Sequence, residues 1–186
     1  MAAWSALPSS RKSAPASPCR KSWPSWPASP LARILPDRAQ PHLAPEAAAY
    51  AALLADSFHR QTGQTLPTDP AALWLHPQPL VSHGTEADPI FRYANAAALA
   101  LWQMDWPSFT QLPSRRSAEA DPDIQSNRSA LLAAALTQGH VADYQGIRIS
   151  AKGRRFRISN TILWTVTDAM GQKHGQAALI GSVTPL

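Results

Sequence analysis

The pattern of apolar positions changes from strand-like to helical at Asn95. Before this residue, positions 90–93 contain β-branched and aromatic side chains and follow a proline, which is typical of a strand. After it, positions 96–104 are good helix formers with no glycine or proline among them. The Asn95 side chain can accept a hydrogen bond from the first helical turn, so we predict that it caps this helix. A second, shorter helix is predicted at 106–112, with Asp105 as its cap.

Two longer helices are indicated by apolar residues at helical spacing. The first is predicted to begin near Pro45 and to end before Gly63, and its apolar side consists of Tyr50, Leu53, Leu54 and Phe58. The second runs between Pro122 and Gly139, and its apolar side consists of Ile124, Leu131, Leu132, Ala135 and Leu136. Because the first helix must bury its apolar side, we expect it to cover a sheet or to pair with its copy in a dimer.

Strand patterns occupy the rest of the chain. Residues 80–82 and 90–93 are predicted to form a hairpin, and residues 141–150, 155–166 and 176–183 an antiparallel meander. Strand 155–166 alternates most regularly, with Phe156, Ile158, Asn160, Ile162, Trp164 and Val166 on one face. In strand 141–150, Tyr144 is out of phase with the later apolar residues, which a bulge at Gly146 would correct.

Charge and composition divide the chain into two parts. Five of the 17 Lys and Arg residues lie within residues 1–36, before the first acidic residue, and the other 150 residues hold 12 basic and 12 acidic groups. The first 36 residues also hold seven of the 18 prolines. We therefore predict a disordered Pro/Ser/Arg-rich tail at 1–44, which an organelle transit peptide would also fit in composition, and one folded domain at 45–186.

This division also limits the partners and the compartment. The predicted domain is neutral, so bulk charge gives no reason to expect nucleic acid, and no apolar run approaches the roughly 20 residues of a membrane span. The only cysteine, Cys19, lies in the predicted tail, which leaves the domain without disulfides or a thiolate nucleophile. A reducing cytoplasm is the expected compartment.

The order of the predicted elements is that of the PAS fold, an α+β fold whose five-stranded antiparallel sheet carries helices over one face; here an N-terminal helix is added. The strings SHGTEADPIFRYANAAALALW, LPSRRSAE, YQGIRISAKGRRFRI and GQAA occur in this order and together resemble the MEKHLA domain, a PAS-like module. The resemblance covers about residues 47–182. Similar modules occur as small bacterial proteins and at the C-terminus of plant class III homeodomain-leucine zipper factors, and this chain looks closer to the bacterial single-domain type. The resemblance implies sensing or regulation and names no ligand.

Candidate binding residues are the polar and aromatic groups that the pattern places inside. Asn160 alone interrupts the apolar face of the longest strand, and a structural hydrogen bond is the alternative role for its amide. His83 precedes two acidic residues, but the spacing matches no standard metal site, and a loop-capping role or axial haem ligation are its other interpretations. Five aromatic residues are candidates for a cavity lining or for ordinary core, namely Tyr93, Trp102, Trp106, Tyr144 and Trp164. A weaker anion-binding set, or a solvated hairpin end, consists of Arg148, Arg155 and Arg157.

These patterns favour a sensory or regulatory module that binds a small ligand or a partner protein. We expect a homodimer or another protein partner to receive the signal, with no catalytic residues and no metal, and the sequence does not identify a cofactor. The chain contains no nucleophile elbow, phosphate loop, His-Glu-x-x-His or dinucleotide fingerprint. The alternatives are a ligand-free dimerisation module and, with less support, a small enzyme that acts on an anionic metabolite through His83 and the arginines.

Overall fold

The computed structural model describes residues 40–186, so the predicted tail lies almost entirely outside the described residues. The α-helices are α1 Pro45–Thr62, α2 Pro70–Trp74, α3 Ala96–Trp102, α4 Trp106–Phe109 and α5 Pro122–Gln138. The strands are β1 Leu80–His83, β2 Phe91–Ala94, β3 His140–Ile149, β4 Arg155–Thr167, β5 Lys173–Leu179 and β6 Ser182–Pro185. In this part of the chain, none of the helices is long and apolar enough to cross a membrane.

The capping residues act as the sequence predicts. The Asn95 side chain accepts from the Ala98 amide at 3.0 Å and also from the Leu80 amide at 3.0 Å, so one buried residue both starts α3 and holds β1. Its amide nitrogen donates to the carbonyl oxygens of His76 and Gln78. Asp105 caps α4, which is shorter than predicted.

The strands form one antiparallel sheet in the order β2-β1-β5-β4-β3, with β6 paired to the first part of β4. This arrangement confirms the predicted α+β fold with a PAS-like sheet. The predicted last strand, 176–183, is divided into β5 and β6, which makes six strands. The division occurs beside Gly181, where an added Cβ would overlap the backbone carbonyl of Asn160.

The face assigned to Asn160 is wrong, because β4 reverses its alternation there. Asn160 has φ of 49° and is exposed, and its amide donates to the Ser182 hydroxyl at 3.2 Å. Left-handed backbone of this kind is a feature of bulges, and one extra residue transfers all later side chains to the opposite face. Ile158 therefore shares a hydrophobic cluster with Leu163, whereas Trp164 belongs to another cluster.

The sheet consequently has an apolar cluster on each face. On the first face, α1 packs against β4, with Leu54 and Phe58 fully buried beside Trp164. On the second face, α3 and α5 cover residues that include Tyr144 and Phe156. Of the two outcomes expected for the apolar side of α1, the structure shows the first: this helix covers the sheet.

Candidate functional site

The second face contains a cavity of about 40 Å³ between the sheet, α3 and α5. Its apolar wall includes Val81, Phe91, Leu132, Ile158, Leu163 and Ile180. The polar residues that line it are His83, Ser117, Arg128, Tyr144, Arg148 and Gln176. Two guanidinium groups thus share a small cavity whose lining contains no aspartate or glutamate.

Arg148 comes from β3 and is buried, with 7% of its surface exposed. Its guanidinium donates to the Tyr144 hydroxyl and, at 2.8 Å, to the Ile147 carbonyl, and its centre lies 5.3 Å from the Tyr144 ring centroid. The strand is irregular on both sides of Tyr144, which agrees with the predicted bulge near Gly146. A Cβ at Gly146 would come within 2.7 Å of the Tyr144 hydroxyl and 2.8 Å of an Arg148 guanidinium nitrogen. Glycine at this position therefore makes room for the arginine–tyrosine pair.

Arg128 enters the cavity from α5. It donates to the Ser114 hydroxyl at 2.9 Å, and Ser114 belongs to the 3₁₀ helix Ser114–Ser117. Burial, with a further contribution from the positive charge of Arg148, lowers the pKa of Arg128 to about 10, so this group remains cationic at neutral pH. The acidic group that acts favourably on it, Asp88, is exposed and forms an ion pair with Arg115 at 3.0 Å.

The sequence interpretation missed Arg128, although a signal was present. Arg128 follows Ile124 by four residues and precedes Leu132 by four, so it falls on the predicted apolar side of the helix. A cation in the middle of such a stripe is a buried charge that needs a partner. Gln176, also missed, donates to the Leu132 carbonyl at 2.9 Å and so connects β5 to α5 beside the cavity.

His83 lies at the end of β1, buried between β2 and β5. Its Nδ1 is 2.9 Å from the Gly84 carbonyl oxygen, and since that oxygen can only accept, Nδ1 carries the proton. The other ring nitrogen, Nε2, is buried without a hydrogen-bond partner among the described residues. Burial lowers the pKa of His83, and the charge of Arg128 lowers it further. The neutral ring thus offers an unprotonated Nε2 that can accept a hydrogen bond or take up a proton.

The acidic residues that follow His83 in the sequence do not join it. Glu86 forms an ion pair with Arg92 at 3.1 Å, and Asp88 is held by Arg115. Within residues 40–186, no group of three or more His, Cys, Asp or Glu side chains is arranged to hold a metal ion.

The structure brings together only some of the predicted binding residues. His83, Trp102, Tyr144 and Arg148 line the cavity. Three aromatic candidates lie in the cluster beneath α1 instead, namely Tyr93, Trp106 and Trp164. Three polar candidates are exposed: Asn160, Arg155, which pairs with Glu119, and Arg157. The reversal at Asn160 explains why Asn160 and Trp164 are not at the cavity.

Trp102 separates the cavity from a second hollow. That hollow has a volume of about 230 Å³ and is lined by Trp102, Met104, Leu112, Arg116 and Ile149 together with Ser150 and Ala151. The Trp102 ring packs edge-on against Phe109 and Phe156, and its Nε1 is buried without a partner among the described residues. The inner cavity therefore has a rigid aromatic wall on this side.

The inner cavity combines hydrogen-bond donors with an apolar lining. Guanidinium N–H groups are donors only, and the cavity offers them no acidic partner. The apolar residues of the lining cannot satisfy hydrogen bonds. The cavity is therefore suited to hydrogen-bond acceptors beside the arginines and to apolar groups elsewhere.

Comparisons with known proteins connect this chain to a family. The sequence model of the MEKHLA domain matches residues 48–184. No curated protein matches the chain at a significant level. A PAS domain of a protein from Colwellia psychrerythraea has a similar structure, with a TM-score of 0.51 and 12% sequence identity, and the match covers 59% of this chain and 88% of that domain.

A second solved structure is an RNA-binding light-oxygen-voltage receptor. It has a TM-score of 0.50 and 19% identity, and the match covers 60% of this chain but only 31% of the receptor. At these identities the similarities show a common fold.

Proposed function

The chain belongs to the MEKHLA domain family of PAS-like sensory and regulatory modules, and from this premise we propose that it binds a small molecule in the cavity beneath α5. Binding then changes an interface with a partner protein or a second copy of the chain, in the reducing cytoplasm. The observation that carries the proposal is the enclosure of buried polar groups around the cavity.

These polar groups lower the stability of the folded state unless a molecule occupies the space between them. The described residues provide no hydrogen-bond partner for His83 Nε2 or Trp102 Nε1, and no ion pair for Arg128 or Arg148. An unsatisfied buried polar group costs about 1–3 kcal/mol, and more when it is charged. A protein selected only for stability or for dimerisation gains nothing from such a cluster, whereas a receptor gains affinity from it.

The size of the cavity limits the ligand. Pockets for drug-sized molecules measure roughly 300–1,000 Å³, far more than the 40 Å³ available here. A flavin does not fit this space. The proposed ligand is therefore a small metabolite.

The position of the cavity gives the signal a route to the surface. Arg128 and Leu132 lie on α5, whose Leu136 is 46% exposed one turn further along. A ligand that draws Arg128 inward would shift the whole helix, because residues on one helix move together. The exposed side of α5 is thus the proposed output surface.

The test is a thermal-shift screen of the full chain against a library of small acids, amides, alcohols and amines. We expect at least one compound to raise the melting temperature, since a ligand that binds only the folded state stabilises it. Leu132→Phe, which fills the cavity, should abolish the response. Leu131→Phe is the matched control, because Leu131 is half-buried on the same helix but does not line the cavity.

The proposal fails if no compound raises the melting temperature of the wild-type chain. It also fails if Leu132→Phe responds as the wild type does while circular dichroism shows that both proteins are folded. Native mass spectrometry of the same samples shows whether the chain pairs with its copy.

A further inference from the structure

We infer that the ligand is a short-chain carboxylate, whose oxygens are held by Arg128 and Arg148 and whose alkyl group lies against the apolar wall. This inference rests on the proposed function and narrows it to one chemical class. Three features of the cavity carry it: its charge, its hydrogen-bonding capacity and its size.

The charge of the cavity lining is positive and the lining holds no acidic residue, since Asp88, which acts favourably on Arg128, is exposed and paired with Arg115. Arg128 and Arg148 both line the space, and each interacts unfavourably with the other's charge. The four ion pairs among residues 40–186 involve other groups, and the arginines among those lie at the surface. Two like charges that line one cavity favour an anion between them, since an anion there would offset their unfavourable interaction.

The hydrogen-bonding capacity also fits a carboxylate. Arginine has five N–H donors, and the structure uses few of them: Arg128 donates to Ser114, and Arg148 donates to Tyr144 and Ile147. These bonds to hydroxyl and carbonyl groups hold the guanidinium planes in place and leave donors for a ligand. A carboxylate is planar and can accept two parallel hydrogen bonds from one guanidinium group.

The size of the cavity limits the rest of the molecule. A water molecule needs about 10–15 Å³ of such volume, so 40 Å³ corresponds to roughly three or four non-hydrogen atoms. Formate and acetate fall in this range, and propionate is one atom larger. The apolar side chains of the lining, among them Val81, Ile158 and Ile180, suit a methyl or ethyl group. Inorganic anions would satisfy the arginines but would leave this wall without a contact.

The experiment measures thermal unfolding of the full chain in sodium acetate and sodium propionate, with sodium chloride at equal ionic strength as the reference. At a hundredfold excess over the dissociation constant, the melting temperature should rise by about 5–10 °C. Acetamide and propionamide, which have the same shape without the charge, should have little effect. Benzoate, which is too large, should also have little effect, and nitrate should stabilise less than acetate.

Arg128→Met tests the contact. In chloride alone this variant should melt at the same temperature as the wild type or higher, because a half-buried charge beside Arg148 has been replaced by an apolar side chain of similar length. It should lose the response to acetate. Arg148→Lys keeps the positive charge but lacks the planar guanidinium group that can donate two parallel hydrogen bonds. This variant should respond more weakly than the wild type. The matched control is Arg157→Met, since Arg157 is exposed and should leave the response unchanged.

The results separate this inference from the proposed function. If amides or amines stabilise the wild type as well as the acids do, the carboxylate assignment is wrong and a ligand-binding module remains. An acetate response that survives in both Arg128→Met and Arg148→Lys would also overturn the assignment. If neither these salts nor any compound of the wider library stabilises the chain, both proposals fall together.

Discussion

The two faces of the sheet differ in the charge of the polar groups that they hold. Beneath α1, the polar residues are few and mostly paired: Ser57 donates to the Thr165 carbonyl at 3.2 Å, and the Tyr50 and Ser82 hydroxyls are 2.9 Å apart. Two exceptions are the Tyr93 hydroxyl and Trp164 Nε1, which are buried without a hydrogen-bond partner among the described residues. Beneath α5, two arginines and a histidine line a cavity. The comparison teaches that unpaired polar atoms occur on both faces, whereas the arginine side chains distinguish the cavity face and suit it to the proposed binding.

The two faces should also differ in the unfolding free energy that is lost when a core side chain is truncated, and this is the largest effect expected. Phe58→Ala, on the α1 face, should cost about 3–5 kcal/mol of unfolding free energy, because Phe58 is fully buried among tightly packed residues. Leu132→Ala, beside the cavity, should cost roughly half as much, since Leu132 is only half-buried. Urea denaturation measures both. Equal costs would show that the two faces are packed alike.

The reversal in β4 is the feature that separates the two faces, and Gly181 supports it. Gly181→Ala should destabilise the chain by about 1–3 kcal/mol, because the new Cβ would overlap the backbone carbonyl of Asn160. Ser182→Ala is the control: it removes the side-chain hydrogen bond to Asn160 without adding an atom and should cost less than about 1 kcal/mol. If the two variants unfold at the same urea concentration, the close approach of residue 181 to the Asn160 carbonyl does not contribute to stability.

A pH effect should come from the cavity face. Burial lowers the pKa of His83 below its ordinary value near 6.5, with the Arg128 charge acting in the same direction and the Gly84 hydrogen bond and Glu86 acting in the opposite one. The unfolded chain therefore binds a proton that the folded chain does not, so the stability of the folded state falls as pH decreases below about 6.5. His83→Asn should show a shallower loss of stability from pH 7 to pH 5, measured by urea denaturation in a buffer without carboxylates. An unchanged pH profile would contradict this account.

The smallest effect is expected from the segment before residue 40. Both faces of the sheet are already covered by α1 on one side and α3 with α5 on the other. Deletion of residues 1–39 should therefore leave the melting temperature within about a degree, as surface changes generally do. A fall of many degrees would mean that the segment contributes to one of the two faces.

The local chemistry of the sequence was sufficient to predict most of the secondary structure. Asn95 and Asp105 were identifiable as caps because capping depends on one side chain and the adjacent turn. The bounds of α1 followed from Pro45, Gly63 and the apolar spacing between them. The quoted strings were enough to recognise the family, and the family established the fold.

The composition of the cavity was decided by the tertiary structure. A strict alternation along β4 predicted that Asn160 is buried and that Ile158 and Trp164 share a face. This prediction was wrong because an alternating pattern does not show where one extra residue, here Asn160 with φ of 49°, reverses the faces. That residue is accommodated by Gly181, which is distant along the chain and adjacent only in the sheet. Arg128 and Arg148 likewise share a cavity only once α5 lies across β3. The sequence by itself therefore determined most of the helices and strands and the family, whereas long-range packing decided which side chains meet, since a contact between distant residues depends on register that no local pattern contains.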